Sequence, residues 1–333
     1  MNVEVYILTG YLGSGKTTLL QKWLPHLKSQ ENNDTVVIMN EMGDTDVDGE
    51  QLQGMDFPVK KLMNGCICCS IRGELTDGMK EILAVLQPRR IIIETTGVAD
   101  PIDVVDALTH PDLYNAIEIK GIISIVDASR YLQLISRFQA SGTLIKTLRS
   151  QVRYADLLLV NKVDLISTDV LEKVKQKLRE ENVAAPLHTT IQSETDLDAL
   201  LTIQQTAKLA RENRTHSGPP VQKTLGRMLK QSLGLGSRPA SLYSSINSFS
   251  YRFSGPVIEK RFVAFLLSLP NQVYRAKGYV YLADKGHAVS FQHTENQVML
   301  HPLEGIDPEK VAVFIGEGFD QTKIIEDLKT CYA

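Results

Sequence analysis

A chain of 333 residues, 43% hydrophobic and 23% charged, has the length for two domains with substantial cores and the composition of an ordinary globular protein. Its net charge of −3 provides no basic field for nucleic acid or an acidic membrane, and no apolar run approaches the roughly 18 residues of a membrane span. The opening MNVEVYILTG lacks the basic and apolar regions of a signal peptide, so the expectation is a soluble, cytoplasmic chain with neither a membrane nor a nucleic acid as partner.

Through residue 212, short β-branched runs alternate with helical patterns. Strands are expected at 3–10, 34–40, 89–96, 121–128 and 155–162, and helices at 15–29, 73–86, 101–109, 169–181 and 196–212. Near-continuous apolar strands are those covered on both faces, which predicts an α/β fold with a doubly wound, mostly parallel sheet and chemistry at the carboxyl ends of its strands. A polar, Gly- and Pro-containing stretch over 213–244 then reads as a connecting region. From 245 to 333 follow a strand at 246–255, a helix at 256–269 with proline at its start, strands near 272–283, 287–294, 297–303 and 311–318, and a last helix at 321–332. That is a second, smaller α+β domain with mostly antiparallel strands.

GYLGSGKTT (10–18) closes the first strand and opens the first helix, with Gly10, Gly15, Lys16 and Thr17 in the register of a phosphate loop. Glycines such as Gly10, Gly13 and Gly15 let backbone N–H groups crowd phosphate oxygens, with Ser14 and Thr18 supplying further loop and helix-start donors. Lys16 is expected on the β- and γ-phosphates and Thr17 on Mg²⁺, which makes the fold a P-loop NTPase. NKVD (161–164) ends a later apolar strand. Asp164 can accept two hydrogen bonds from guanine N1–H and its amine, with Asn161 and the Lys162 stem holding the base from the other side, so GTP is expected over ATP. IIIETTG (91–97) ends in Glu94, where an aspartate is commoner in P-loop proteins. The carboxylate is expected to face Mg²⁺ and the Gly97 N–H the γ-phosphate, making a two-state sensor.

DTDVDG (44–49) resembles the opening of a calcium loop, but the twelfth position is Met55 where a bidentate Glu belongs, so an EF-hand is rejected. Its flanks read as strands, and its acids as a mobile loop between them, near the nucleotide's Mg²⁺ or a second metal, in part a solvated face. NGCICCS (64–70) holds Cys66, Cys68 and Cys69, three of the chain's four cysteines. Gly65 and the helix that follows favour a turn on which three sulfurs converge, a donor set for Zn²⁺ or a similar ion, with Lys60, Lys61 and Arg72 favouring thiolates. A redox CxxC and a cluster of inert buried thiols are the competing readings.

GYLGSGKTT, NEMG (40–43), NGCICCS, ETTGVADP (94–101) and NKVD in this order, with RAKGYVYL (275–282) and FIGEGFD (314–320), resemble the CobW-like GTPases, metal-chaperone relatives of the urease and hydrogenase nickel-insertion GTPases. The resemblance implies slow GTP hydrolysis coupled to delivery of zinc, or of cobalt or nickel, to a metal-requiring client protein, with a homodimer as an option. By position, Lys16, Thr17 and Glu94 would be catalytic and Cys68, with Cys66 and Cys69, would hold the metal. Asp44 stands where a Glu is frequent and His110 where some relatives keep a histidine near metal, while Met39 takes the place of a Glu found in others. No histidine-rich tract is present, and His287, His293 and His301 are expected to be solvated. The rivals are a GTP-dependent protein-interaction switch with structural cysteines and a P-loop phosphotransferase.

Overall fold

The computed structural model describes residues 2–29, 34–41, 58–63, 70–136, 142–203, 247–294, 297–303 and 308–333. Strands β1 (Val3–Thr9), β2 (Thr35–Glu41), β3 (Val59–Met63), β4 (Arg90–Glu94), β5 (Ile117–Asp127), β6 (Leu157–Asn161) and β7 (Leu187–Thr189) form one sheet, in the order β3-β2-β4-β1-β5-β6-β7. Every pairing among them is parallel. On β1, Val5 and Ile7 enter one core while Tyr6 and Leu8 enter another, which is why the strand reads as one unbroken apolar run. Helix α1 (Lys16–Lys28) covers the second core with Leu20, Trp23, Leu24 and Leu27, an i, i+3, i+4, i+7 stripe. Helices α2 (Ser70–Val85) and α3 (Pro101–Leu108) cover the first through Leu75, Met79, Ile82, Val104 and Leu108.

Helices α4 (Tyr131–Leu134), α5 (Gly142–Arg153) and α6 (Thr168–Glu181) enclose a further core around Val126, Leu158, Val160 and Val174. Strand β7 and helices α4 and α5 are absent from the sequence expectation, and β3 enters it only as the strand after the loop at 44–49, without bounds. The two strands are short edges, one with Lys60 and Lys61 at its centre, and α4 is a single turn. Helix α5 buries only Ile145, Leu148, Gln151 and Val152, a stripe thinned by its polar member. The described part of the helix expected at 196–212 contains a 3-10 turn, Ala199–Thr202; its continuation from 204, like the connecting region 213–244, lies outside the described residues.

The second sheet is antiparallel, in the order β11-β10-β9-β12-β8: β8 (Asn247–Arg252), β9 (Val273–Leu282), β10 (His287–Thr294), β11 (Gln297–Pro302) and β12 (Val311–Gly316). Helices α7 (Glu259–Leu267) and α8 (Gln321–Lys329) pack Phe262, Leu266, Ile324 and Leu328 on one face. Helix α7 begins at Glu259, not at Pro256, because Val257 is drawn into bridges with Leu282 and Tyr332. His293 corrects the expectation of a solvated side chain: it stands opposite Ala276 on the core face and is buried, whereas His287 and His301 are exposed.

Strand β12 is apolar throughout because both its faces are covered. Ala312 and Phe314 join the second domain's own core, while Val313 and Ile315 enter the core of the first sheet. Beside it, β9 sends Arg275 and Lys277 onto α3: Arg275 lies 2.9 Å from Asp103 and Lys277 2.9 Å from Asp106. Among the described residues, no helix is long and apolar enough to cross a membrane.

Candidate active site

A parallel sheet delivers all its carboxyl ends to one edge. Along that edge stand in turn Met63 of β3, Glu41 of β2, Glu94 of β4, Thr9 of β1, Asp127 of β5, Asn161 of β6 and Thr189 of β7. Strand β4, ending in Glu94, is therefore the direct neighbour of β1, which feeds the phosphate loop, with β6, ending in Asn161, two places away on the other side. At about 4.8 Å per strand, the strand leading to the cysteines is about 14 Å from the phosphate-loop strand.

The phosphate loop folds back on itself. The Lys16 ammonium donates to the carbonyls of Gly10 (2.9 Å) and Tyr11 (3.4 Å) and is 7% exposed. Gly15, at φ 114°, is the turn into α1; a Cβ there would lie 2.4 Å from Asn161 Nδ2 and 2.6 Å from Ser193 Oγ. The Ser14 hydroxyl is buried without a protein partner, a polar atom left over inside the cradle. Gly13, Thr17 and Thr18 lie within the same loop and the helix start it feeds.

Thr17 Oγ1 donates to Glu94 Oε1 at 3.1 Å, joining the first turn of α1 to the end of β4 across 77 residues of sequence. A hydroxyl and a buried carboxylate in contact are hard oxygen donors of the kind Mg²⁺ takes, and the surrounding loop N–H groups and helix N-terminus suit phosphate. Three residues beyond Glu94, a Cβ on Gly97 would come 2.4 Å from the backbone nitrogen of Leu12, so this segment lies directly against the phosphate loop.

Asn161 makes four hydrogen bonds to the protein around it. Its Nδ2 donates to Ser14 O (2.9 Å) and Ser193 Oγ (3.1 Å), and its Oδ1 accepts from Thr190 Oγ1 (3.0 Å) and Ser193 N (2.9 Å). Buried, it ties the phosphate loop to the turn after β7. Lys162 holds φ 63° and donates to Asp127 Oδ2 at 2.7 Å, which aims its chain across the end of β5. Asp164 is exposed in the 3-10 turn Val163–Leu165. Ser193, Thr190 and Asp127, which hold Asn161 and Lys162, are residues that sequence reasoning missed. Gln192 and Ser193 adopt positive φ, yet nothing in the polar run TTIQSE signals it.

Cys66, Cys68, Cys69 and Asp44 lie outside the described residues, as do the side chains of Asn40 and Glu41; the elements flanking the cysteines are β3, ending at Met63, and α2, beginning at Ser70. His110 follows α3, which runs antiparallel to β4 and carries the chain to the opposite, amino end of the sheet, where Ala116 O accepts from Val3 N. Its neighbours there are Asp112 (3.6 Å) and Tyr279, and Asp112 pairs with Lys80 at 2.6 Å. Lys80 stands ten residues along α2 from Ser70, about 15 Å of helix, so His110 is not at the edge that carries the cysteines. Among the described residues no three His, Cys, Asp or Glu side chains group as a metal site. The fourth cysteine, Cys331, is buried in the second domain, and burial raises its thiol pKa.

Residues 4–219 match the family model described as CobW/HypB/UreG, nucleotide-binding domain, and residues 246–332 match that of the cobalamin synthesis protein cobW C-terminal domain. The chain is 28% identical over 332 residues to the zinc chaperone YjiA of Escherichia coli strain K12, covering 94% of each. It is 31% identical over 202 residues to zinc-regulated GTPase metalloprotein activator 1 of Schizosaccharomyces pombe, covering 56% of this chain and 46% of that protein. Solved structures similar to it include Zn(II)-bound YjiA GTPase from E. coli, with TM-score 0.45, 21% identity and 100% of both chains covered. HypB from Helicobacter pylori in complex with nickel matches with TM-score 0.37 and 16% identity over 67% of this chain and 92% of that one.

Proposed function

This chain belongs to the CobW/HypB/UreG family and is a GTPase, and from that premise we propose that it is a metallochaperone coupling GTP binding and hydrolysis to transfer of a transition metal to a client protein. Zinc is the first expectation, as the names of its relatives favour it, with cobalt and nickel as alternatives. The cargo ion would be held by Cys66, Cys68 and Cys69, with Asp44 as a candidate fourth donor; His110 would serve a metal only apart from them. Lys16 and the loop N–H groups of Gly13, Ser14, Gly15, Thr17 and Thr18 would hold the phosphates, and Thr17 with Glu94 would hold Mg²⁺. Bound Mg²⁺ neutralises the charge that develops on the transferring phosphoryl group. Asp164 would accept from guanine, with Lys162 fixed by Asp127 and Asn161 bracing the loop beneath. We assign the GTPase domain to 1–212, the connecting region to 213–244 and the second domain to 245–333.

The observation that carries this reading is the order of the carboxyl edge together with the Thr17–Glu94 hydrogen bond. Base, phosphate, γ-phosphate and cysteine segments follow one another along one line, and the last two are separated by a single strand, β2. A change at Glu94 on γ-phosphate binding is passed to β2 and so to β3. Linkage then demands that GTP alters metal affinity and that metal alters GTP affinity by the same factor. Zinc competition titrations with and without a non-hydrolysable GTP analogue test this: equal metal affinities in both states, or unchanged zinc binding after Cys68→Ala, would sink the coupled mechanism. Asp164→Asn is expected to move preference from GTP to xanthosine triphosphate, and unchanged preference would remove the base assignment.

A further inference from the structure

Helix α5 makes a contact that neither the phosphate loop nor the metal reading uses. Gln151, on its inner face and only 2% exposed, points its amide into the segment that follows Glu94. Its Nε2 donates to Gly97 O and to Ala99 O, each at 3.1 Å, so both amide hydrogens serve carbonyls on either side of Val98. The preceding residue repeats the contact. Ser150 Oγ donates to Asp100 Oδ1 at 2.6 Å, and the same oxygen accepts from Ile102 N at 3.0 Å, capping α3. The platform itself is pinned: Asn182 Nδ2 donates to the carbonyls of Val152, Arg153 and Ala155 at the end of α5. Two successive residues of a locked helix end thus hold four consecutive residues, 97–100, against the phosphate loop at Leu12.

We infer that Gln151 is a positioning residue for γ-phosphate recognition: by bonding Gly97 O and Ala99 O it holds Val98 and Ala99 from both sides, and Ala99 N in turn donates at 3.0 Å to Thr96 O, the carbonyl of the peptide that carries the Gly97 N–H. This rests on the proposed role of Gly97. The chemistry is that of a rigid donor behind a flexible loop. A buried carbonyl deprived of its partner turns to find another, and the Val98–Ala99 unit whose N–H holds Thr96 O turns with it. Gln151 never touches the nucleotide, so its effect appears where the γ-phosphate matters and not where only the β-phosphate does.

The test uses the full-length protein, GDP, a non-hydrolysable GTP analogue and steady-state GTP hydrolysis. Gln151→Glu keeps the size and position of the side chain but presents a carboxylate to two carbonyls. Gln151→Met fills the same space with no donor and serves if the charged variant fails to fold. Both are expected to hold GDP affinity within about twofold while analogue affinity and kcat fall by about tenfold or more. Equal losses for GDP and the analogue would mark a merely structural residue, and no loss for either would mark an idle one; each overturns the inference. Gly97→Ala separates this from the underlying reading. If that variant leaves the ratio of analogue to GDP affinity unchanged, the γ-phosphate role of Gly97 fails and the inference falls with it. If it collapses the ratio while the Gln151 variants do not, only the inference fails.

Discussion

The charge cluster between β9 and α3 offers the most direct measure of how firmly the second domain is bound. The Asp106 carboxylate is 6% exposed and lies 2.9 Å from Lys277 Nζ and 3.7 Å from Arg275 Nε, and Lys277 also donates to the Asp106 carbonyl. At an effective dielectric constant of about 20, a pair at that shorter distance attracts by roughly 6 kcal/mol, most of which offsets the desolvation of two ions. Lys277→Met keeps the aliphatic stem and removes the charge, leaving Asp106 with Arg275 as a weaker partner. The expected loss is therefore about 2–3 kcal/mol, below the 3–5 kcal/mol typical when a buried charge loses its sole partner. Urea unfolding followed by Trp23, the chain's only tryptophan, carried on α1 and buried in the core it covers, reads the unfolding of the nucleotide-binding domain. A double-mutant cycle with Asp106→Asn isolates the pair and should give a coupling above about 1.5 kcal/mol. Lys177, paired with Glu180 at a half-exposed i,i+3 site, supplies the control, and Lys177→Met should cost under about 0.5 kcal/mol. A Lys277–Asp106 coupling as small as that of the control would refute the reasoning.

Gly15→Ala meets both a backbone penalty at φ 114° and a 2.4 Å approach to Asn161, so GTP and GDP affinities should fall together by roughly a hundredfold, read by fluorescence titration. Glu94→Gln can still accept from Thr17 but carries no charge; kcat should drop by about 10- to 100-fold, with GDP affinity within about threefold. Burial and then the Lys277 cation, with Lys80 beyond, hold His110 below the ordinary imidazole value of 6.5 against the pull of Asp112 and Asp106. The unfolded chain then binds that proton more readily, so this share of stability is full above pH 6.5 and is lost as pH falls through the folded value. His110→Gln should flatten the decline between pH 8 and 5.5 in urea unfolding, and a profile identical to wild type would contradict the assignment. Cys331 should resist thiol reagents in the native protein and react once urea unfolds it, since burial both shields the sulfur and raises its pKa.

By itself the sequence determined the elements whose chemistry is local. Gly10 to Thr18, Glu94 to Gly97, Asn161 to Asp164 and the cysteines are each contained within a few residues, where spacing alone sets which groups share a turn or a strand end. Unbroken apolar strands likewise announced a parallel sheet covered on both faces, and the alternation after 245 announced an antiparallel one. Tertiary structure decided everything that depends on residues far apart in the chain. Strand order puts Glu94 beside the phosphate loop and the cysteine strand beyond β2, since parallel strands are joined by crossovers whose landing place no local pattern encodes. Asn161 meets Ser14 across 147 residues and Gln151 meets Gly97 across 54, so the roles of both had to await the fold. His110 follows the ETTGVADP segment closely in sequence, yet the antiparallel course of α3 carries it to the far end of the sheet. Arg275 and Lys277 read as the polar face of an ordinary strand until α3 places two aspartates against them.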